Sequence, residues 1–195
     1  MKNYKILSLL WVVLLAWTLA GCGNSQTAQP NNWNNWDIII EEINNNDVVS
    51  YNDNLVSIAE QCFQSEEGIW VAYQDSETTV EDIQNAINST TTACRESINN
   101  LNTLWGWEGD SSLKDGIVSI LEKDIQYYEK FSELLPYVDN TEELTEEQAA
   151  AYDSIVAEIN SIDDELSVAN EELMTIQENF ANAHGYELNP SEEQA

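Results

Sequence analysis

Apolar residues recur at helical spacing through four long stretches of this chain, and in two of them the steps alternate between three and four positions. Such steps place one apolar stripe along an α-helix, and their mean period of 3.5 residues is the heptad of coiled-coil packing. The pattern is clearest over about 80–104, in Val80, Ile83, Ile87, Thr90, Cys94, Ser97, Leu101 and Leu104. It is longest over about 146–183, in Tyr152, Ile155, Ile159, Ile162, Leu166, Ala169, Leu173, Ile176, Phe180 and Ala183. These two stretches therefore predict long amphipathic helices.

The other two stretches carry wider apolar stripes. Over 47–73 the core-facing series is Val48, Tyr51, Leu55, Ile58, Cys62, Ile69 and Ala72. Over 113–135 it is Leu113, Ile117, Leu121, Ile125, Tyr128, Phe131 and Leu135. We expect Pro136 to end the latter helix, because proline lacks an amide N–H and clashes with the preceding turn.

Helix-capping residues agree with these boundaries. The segments Thr78–Glu81 and Thr145–Gln148 both match a capping box, in which a Thr oxygen accepts from a backbone amide and the residue three positions on reaches back. His184 and Gly185 match a helix end, with a potential cation in the last turn and a residue that tolerates positive φ beyond it. The caps therefore predict three helix ends, the start of the helix over about 80–104 and both ends of the helix over about 146–183.

The connections between the helices are short, at about 74–78, 105–112 and 136–145. Short connections place consecutive helices side by side in opposite directions. We therefore predict that residues 37–188 form an all-α domain, an antiparallel up-down-up-down four-helix bundle with coiled-coil-like heptad packing. A C-terminal tail, 189–195, follows it.

Charge narrows the range of functions. The 195 residues include 36 Asp and Glu but only 6 Lys and Arg, which gives a formal net charge of −30. Nucleic-acid binding depends on Lys and Arg contacts to phosphate, so this composition excludes it. Hydrophobic residues make up 43% of the chain, which is enough for a real core and argues against wholesale disorder.

The N-terminus carries an export signal. Lys2 and Lys5 precede an apolar run from Ile6 to Leu19, which is the order of charge and hydrophobicity in secretory signal peptides. The alternative is an uncleaved membrane anchor. As a helix the run would rise only about 22 Å, less than the roughly 30 Å hydrocarbon core of a bilayer, which favours the signal peptide.

The signal peptide ends in Leu19-Ala20-Gly21-Cys22, which resembles the lipobox of bacterial lipoprotein precursors. This resemblance implies that diacylglycerol is attached to the Cys22 sulfur and that residues 1–21 are then removed. It implies no other cofactor. By analogy with the sorting of enteric lipoproteins, Gly23 in place of Asp favours the outer membrane or cell surface over the inner membrane.

Residues 22–36 are rich in Asn and Gln and have no hydrophobic period, so we expect a flexible tether between Cys22 and the domain. The tether contains Trp33 and Trp36. In the predicted topology Trp105 and Trp107 lie at the same end of the bundle. These tryptophans either contact the membrane interface or pack onto the domain.

Lipidation of Cys22 leaves Cys62 and Cys94 as a pair in an exported chain. Their midpoint is residue 78, at the predicted turn between the first two helices, so they would face each other in an antiparallel hairpin. We predict a disulfide between them. The alternative is two buried free thiols, since unpaired cysteine packs well as a small hydrophobe.

Motifs for catalysis or metal binding are absent from the sequence. The only histidine, His184, has Ala181 where the Glu-x-x-His motif of di-iron bundles requires glutamate. The segment Asn52-Asp53-Asn54 begins like an EF-hand loop but lacks its glycine at position 6 and its glutamate at position 12. We therefore predict no catalytic residue, no metal site and no enzymatic activity.

Two further segments, Tyr51-Asn52-Asp53-Asn54 and Asn179–Gly185, resemble features of helical bacterial surface lipoproteins of uncharacterised function. That resemblance implies no reaction. The sequence as a whole predicts a membrane-anchored bacterial lipoprotein with a non-catalytic interaction or scaffold role in the cell envelope. Its partners would be membrane lipid, through Cys22, and an envelope protein. The alternative is an envelope ligand- or divalent-cation-binding protein that uses its acidic surface.

Overall fold

A computed structural model describes residues 47–74, 78–138 and 144–188. The elements in these ranges are α1 (Val48–Gln74), α2 (Val80–Thr103), α3 (Ser112–Ser132), the short α4 (Leu135–Val138) and α5 (Glu146–His184). An isolated bridge between Trp107 and Asp110 is the one β-type pairing within the described residues. The described part of the chain is therefore all-α, as the heptad pattern predicts. The predicted signal peptide, lipobox, tether and C-terminal tail lie outside the described residues.

The core-facing series explains which side chains are buried. Of the series predicted for α2, every member from Ile83 to Leu101 is buried, and so is Leu104 directly after the helix. In α5 the prediction for Ala183 is wrong, because Ala183 is exposed whereas Ala181 is buried. An α-helix has 3.6 residues per turn, so over the 39 residues of α5 its buried stripe drifts away from a strict heptad.

Pro136 does not end α3 as predicted. The helix ends at Ser132, and Pro136 lies in α4. A proline ring clashes with the carbonyl four residues earlier, here that of Ser132, so the helix cannot continue unbroken to the proline. Within α4, Pro136 occupies the first turn, where a missing amide N–H costs nothing. The intervening Leu134 and Leu135 are buried in the core.

The predicted caps are confirmed at one helix and shifted at another. Thr145 forms the predicted capping box with Gln148 at the start of α5. The prediction of Thr78 with Glu81 is wrong by one residue. At α2 the Thr79 amide donates to Asp82 Oδ2 at 2.9 Å, and the Asp82 amide donates to Thr79 Oγ1 at 3.2 Å. Gly185 ends α5 with φ of 75°, as predicted.

Helix α1 packs against α2, α2 against α3, and α3 against α5. Three bonds follow one another along the interface between α1 and α2. The Ser97 hydroxyl donates to the Ile58 carbonyl, Cys62 is disulfide-bonded to Cys94, and the Thr90 hydroxyl donates to the Ser65 carbonyl. Residue numbers therefore rise along α1 as they fall along α2. Surface ion pairs join the other interfaces, between Arg95 and Glu129, Lys123 and Glu165, and Lys130 and Glu158.

Candidate functional site

Two acidic side chains lie inside the core, in a polar layer that we define as Glu66, Thr90 and Asp124. Glu66 is 6% exposed, Asp124 2% and Thr90 0%. The layer separates two apolar clusters, one that includes Cys62 and another that includes Ile69. Asp and Glu are almost never fully buried unless paired, so this layer is the least ordinary feature of the described core.

The heptad register places both acids in the core. Glu66 lies four positions after Cys62 and three before Ile69, so it occupies the one core-facing position that the apolar series of α1 leaves empty. Asp124 lies three positions after Leu121 and four before Tyr128 in α3. The apolar pattern includes neither acid. The spacing of each acid from its apolar neighbours is the sequence signal that marks it as core-facing.

The two carboxyl groups approach each other closely. One carboxylate oxygen of Glu66, one of Asp124 and the Sγ of Cys62 all lie within 4.8 Å of one another. Glu66 Oε1 and Asp124 Oδ2 are buried and accept no hydrogen bond from the described residues. The described cations pair with other acids on the surface, as Lys123 does with Glu165. No described cation therefore offsets the charge of the acid pair.

Burial determines the protonation of the pair. It raises the pKa of Asp124 to about 7. Burial, together with the nearby Asp124, raises the pKa of Glu66 well above its ordinary range, and a hydrogen bond from Tyr128 opposes this only in part. Burial also raises the pKa of Tyr128, so its hydroxyl stays neutral and donates to Glu66. Two close carboxyls titrate as a pair, and this pair retains at least one proton near neutral pH.

A disulfide lies directly beside the acid pair. Cys62 and Cys94 are bonded, with a Cα–Cα distance of 4.3 Å and a sequence separation of 32 residues, and both side chains are fully buried. This is the pairing that the sequence predicts. Cys62 lies one helical turn before Glu66, so the bond that joins α1 to α2 also forms one side of the polar layer.

No family model, curated protein or solved structure matches this chain. The resemblances to lipoproteins stay predictions from the sequence. Within the described ranges, no helix has the length and hydrophobicity needed to cross a bilayer.

The end of the domain at which the sequence places Trp105 and Trp107, which we call the aromatic end, is a second candidate site. Tyr51, at the start of α1, donates from its hydroxyl to the carbonyl of Trp105 at 3.0 Å, and its ring packs on Phe180 near the end of α5. The two tryptophans of the connection differ. Trp105 is 78% exposed, whereas Trp107 packs against Tyr51 with ring centroids 5.7 Å apart. Of these two tryptophans, therefore, Trp107 packs onto the domain and Trp105 does not. Trp33 and Trp36 lie outside the described residues.

His184 occupies the last turn of α5, as the sequence predicts. Its ring packs on Phe180, and its nitrogens lie 3.8 Å from Glu108 Oε2 and 3.6 Å from Asp110 Oδ2. These contacts tie the end of α5 to the connection between α2 and α3. These contacts explain the position of His184 by a structural role.

Proposed function

We propose that this protein is a bacterial lipoprotein, anchored by diacylglycerol on Cys22 at the outer membrane or cell surface, with a non-catalytic interaction or scaffold role. The observation that carries the proposal is the sequence Leu19-Ala20-Gly21-Cys22 behind a basic and then apolar segment. The mature chain would begin with the lipidated cysteine and continue through the tether 22–36 into the helical domain.

The domain on this tether is an antiparallel up-down-up-down four-helix bundle in our proposal. The stepwise pairing of α1 with α2, in which residue numbers run in opposite directions, supports it. The meeting of Tyr51 with Trp105 and Phe180 also supports it, because that topology brings the start of α1, the connection after α2 and the end of α5 to one end.

The same arrangement orients the bundle. Helix α1 begins at Val48, at the same end of the domain as the exposed Trp105, so a tether that leads directly into α1 would meet the domain there. Tryptophan favours the interface between lipid headgroups and hydrocarbon. The aromatic end therefore faces the membrane in this proposal, and the opposite end of the bundle points away from it.

The surface charge supports an interaction role over catalysis. The formal net charge is −30, and the described cations already pair with surface carboxylates. Such a surface attracts a basic partner at long range and repels acidic ones. The proposed partner is an envelope protein with a basic surface, held near the bundle by their common membrane.

Chemical cross-linking in intact cells tests this role. The wild-type chain is compared with a chain that is exported by a non-lipoprotein signal peptide and starts at Gly23, so that only anchoring differs. We expect one discrete cross-linked product from the anchored chain at native expression levels, with a yield that falls as salt screens the surface charge. The absence of any discrete product from either chain would contradict the interaction role.

A further inference from the structure

We propose that the reduced form of this protein binds one zinc ion in its core, through the thiolates of Cys62 and Cys94 and the carboxylates of Glu66 and Asp124. This site lies in the described core, away from the proposed lipid anchor and the interaction surface. Zinc would be the ligand of the polar layer.

Three of the four ligand atoms already converge. Cys62 Sγ and one carboxylate oxygen from each acid lie within 4.8 Å of one another, and Cys94 Sγ is bonded to Cys62 Sγ. Zinc takes thiolate at about 2.3 Å and carboxylate at about 2.0 Å in a tetrahedron, which requires ligand atoms roughly 3.3 to 3.8 Å apart. Cys94 Sγ does not belong to that group, so after reduction its side chain must rotate away from Cys62 Sγ and toward the carboxylates. The two acids reach the site from helices α1 and α3.

Two unpartnered oxygens point to a ligand. Glu66 Oε1 and Asp124 Oδ2 are buried and accept no hydrogen bond from any described residue. A buried acceptor without a partner costs free energy, so each such atom in a folded protein needs an explanation. A cation between the carboxylates would satisfy both oxygens at once.

The disulfide controls which ligands are present. In the oxidised chain both sulfurs are bonded to each other, and the site offers mainly carboxylate oxygens. A small dithiol reductant gives two electrons and two protons to the S–S bond, which yields two cysteine thiols and the cyclic disulfide of the reductant. Zinc then displaces the two thiol protons, and any proton on the carboxyl pair, into solvent.

The donor set selects zinc over the hard cations. Two thiolates with two carboxylates form a four-ligand set of mixed sulfur and oxygen, which suits tetrahedral zinc. Calcium takes six to eight oxygens and magnesium about six, and the buried layer does not supply that number. The site is thus distinct from cation binding on the acidic surface.

Spectroscopic titration tests the proposal. The full chain with Cys22→Ser, purified in detergent, retains only the two core cysteines. After anaerobic reduction it is titrated with cobalt(II) and then with zinc(II). We expect one cobalt ion per chain, thiolate-to-cobalt charge-transfer absorption with the visible bands of tetrahedral cobalt, and displacement by zinc. The oxidised chain should show none of these signals.

Variants with neutral side chains identify the oxygen ligands. We expect Glu66→Gln and Asp124→Asn each to weaken zinc binding to the reduced chain by roughly tenfold or more. Glu60→Gln and Glu122→Gln make a matching change at exposed positions of the same two helices and should leave the affinity unchanged. Circular dichroism follows folding throughout. If reduction unfolds the chain, recovery of helix on addition of zinc also supports the site.

Three results would overturn the proposal. The first is the absence of saturable zinc binding by the reduced chain, whether it stays folded or unfolds without recovery. The second is equal binding by the oxidised chain, which would place the ion on the acidic surface. The third is unchanged affinity in both Glu66→Gln and Asp124→Asn, which would leave the thiolates as the only ligands.

Discussion

Reduction of the Cys62–Cys94 disulfide in metal-free protein is expected to lower the free energy of unfolding by about 3 to 4 kcal/mol. The bond closes a loop with a sequence separation of 32 residues. A cross-link of that span restricts the unfolded chain and so makes unfolding less favourable by this amount in the chain-entropy description. It also holds α1 against α2 one turn from the buried acids. Urea unfolding followed by circular dichroism, with and without a dithiol reductant and always with a chelator, gives the difference directly.

The double variant Cys62→Ala with Cys94→Ala is the control for this experiment. It cannot form the bond, so its unfolding midpoint should be the same with and without reductant. Identical midpoints for the oxidised and reduced wild-type chain would show that the disulfide does not stabilise the bundle.

Neutralising the buried acid pair should stabilise the disulfide-bonded, metal-free protein increasingly as the pH rises. Folding raises the pKa of both Glu66 and Asp124, so the folded chain holds more protons than the unfolded chain above about pH 4. Their contribution to stability is therefore lost as the pH rises toward about 7 and beyond. The double variant Glu66→Gln with Asp124→Asn does not titrate at these positions and so lacks this loss. We expect its free energy of unfolding to exceed that of the wild type by about 2 to 4 kcal/mol near pH 8.

Other titrating groups also affect how the stability of the wild type and of the double variant depends on pH. Tyr127 and Tyr128 lie beside the acids on α3, and burial raises the pKa of each, so both stay neutral over this range. The charge of Asp163 on α5 raises the pKa of Tyr127 further. Burial raises the pKa of Asp163 itself. Repulsion among the surface carboxylates also grows with pH.

Chemical unfolding from about pH 4 to 8, with a charge-matched control, measures the effect of the pair. Glu60→Gln with Glu122→Gln removes two exposed carboxylates from the same helices and should keep the steep pH dependence of the wild type. Parallel stability profiles for the wild type and the buried double variant would contradict the account of the pair.

The helices could be predicted from the sequence because their signals are local. A stripe at steps of three and four needs only the neighbouring residues to define it, and so does a capping Thr such as Thr145. The errors fall at helix ends. Thr78 and Thr79 are both plausible N-caps, and the choice of Thr79 depends on where α2 packs. Pro136 acts one turn upstream of its own position, which moves the end of α3 to Ser132.

The candidate site was only half predictable. The Cys62–Cys94 pairing follows from one hairpin, because the turn fixes which levels of α1 and α2 face each other. The acid pair joins α1 to α3, which are not consecutive helices, so its proximity depends on how the whole core packs. The core-facing positions of Glu66 and Asp124 were visible in the spacing, but a reading restricted to apolar residues passes over them.

The polar layer also bears on how the fold is specified. A shift of α1 along α3 would move Glu66 away from Asp124 and Tyr128 and place its carboxyl among apolar side chains. A buried polar group without a partner is costly, and buried polar residues fix register in coiled coils for this reason. We therefore expect the layer to favour the observed register over others that a repeating heptad pattern would allow.

Intact mass spectrometry of the protein purified from bacterial membranes tests lipid anchoring at Cys22. We expect a mature chain that lacks residues 1–21 and carries the added mass of diacylglycerol on an N-terminal Cys22. The Cys22→Ser chain should keep its signal peptide and carry no lipid. A wild-type chain that retains residues 1–21 without added lipid, or that is cut at another bond, would show that the chain is not anchored through Cys22.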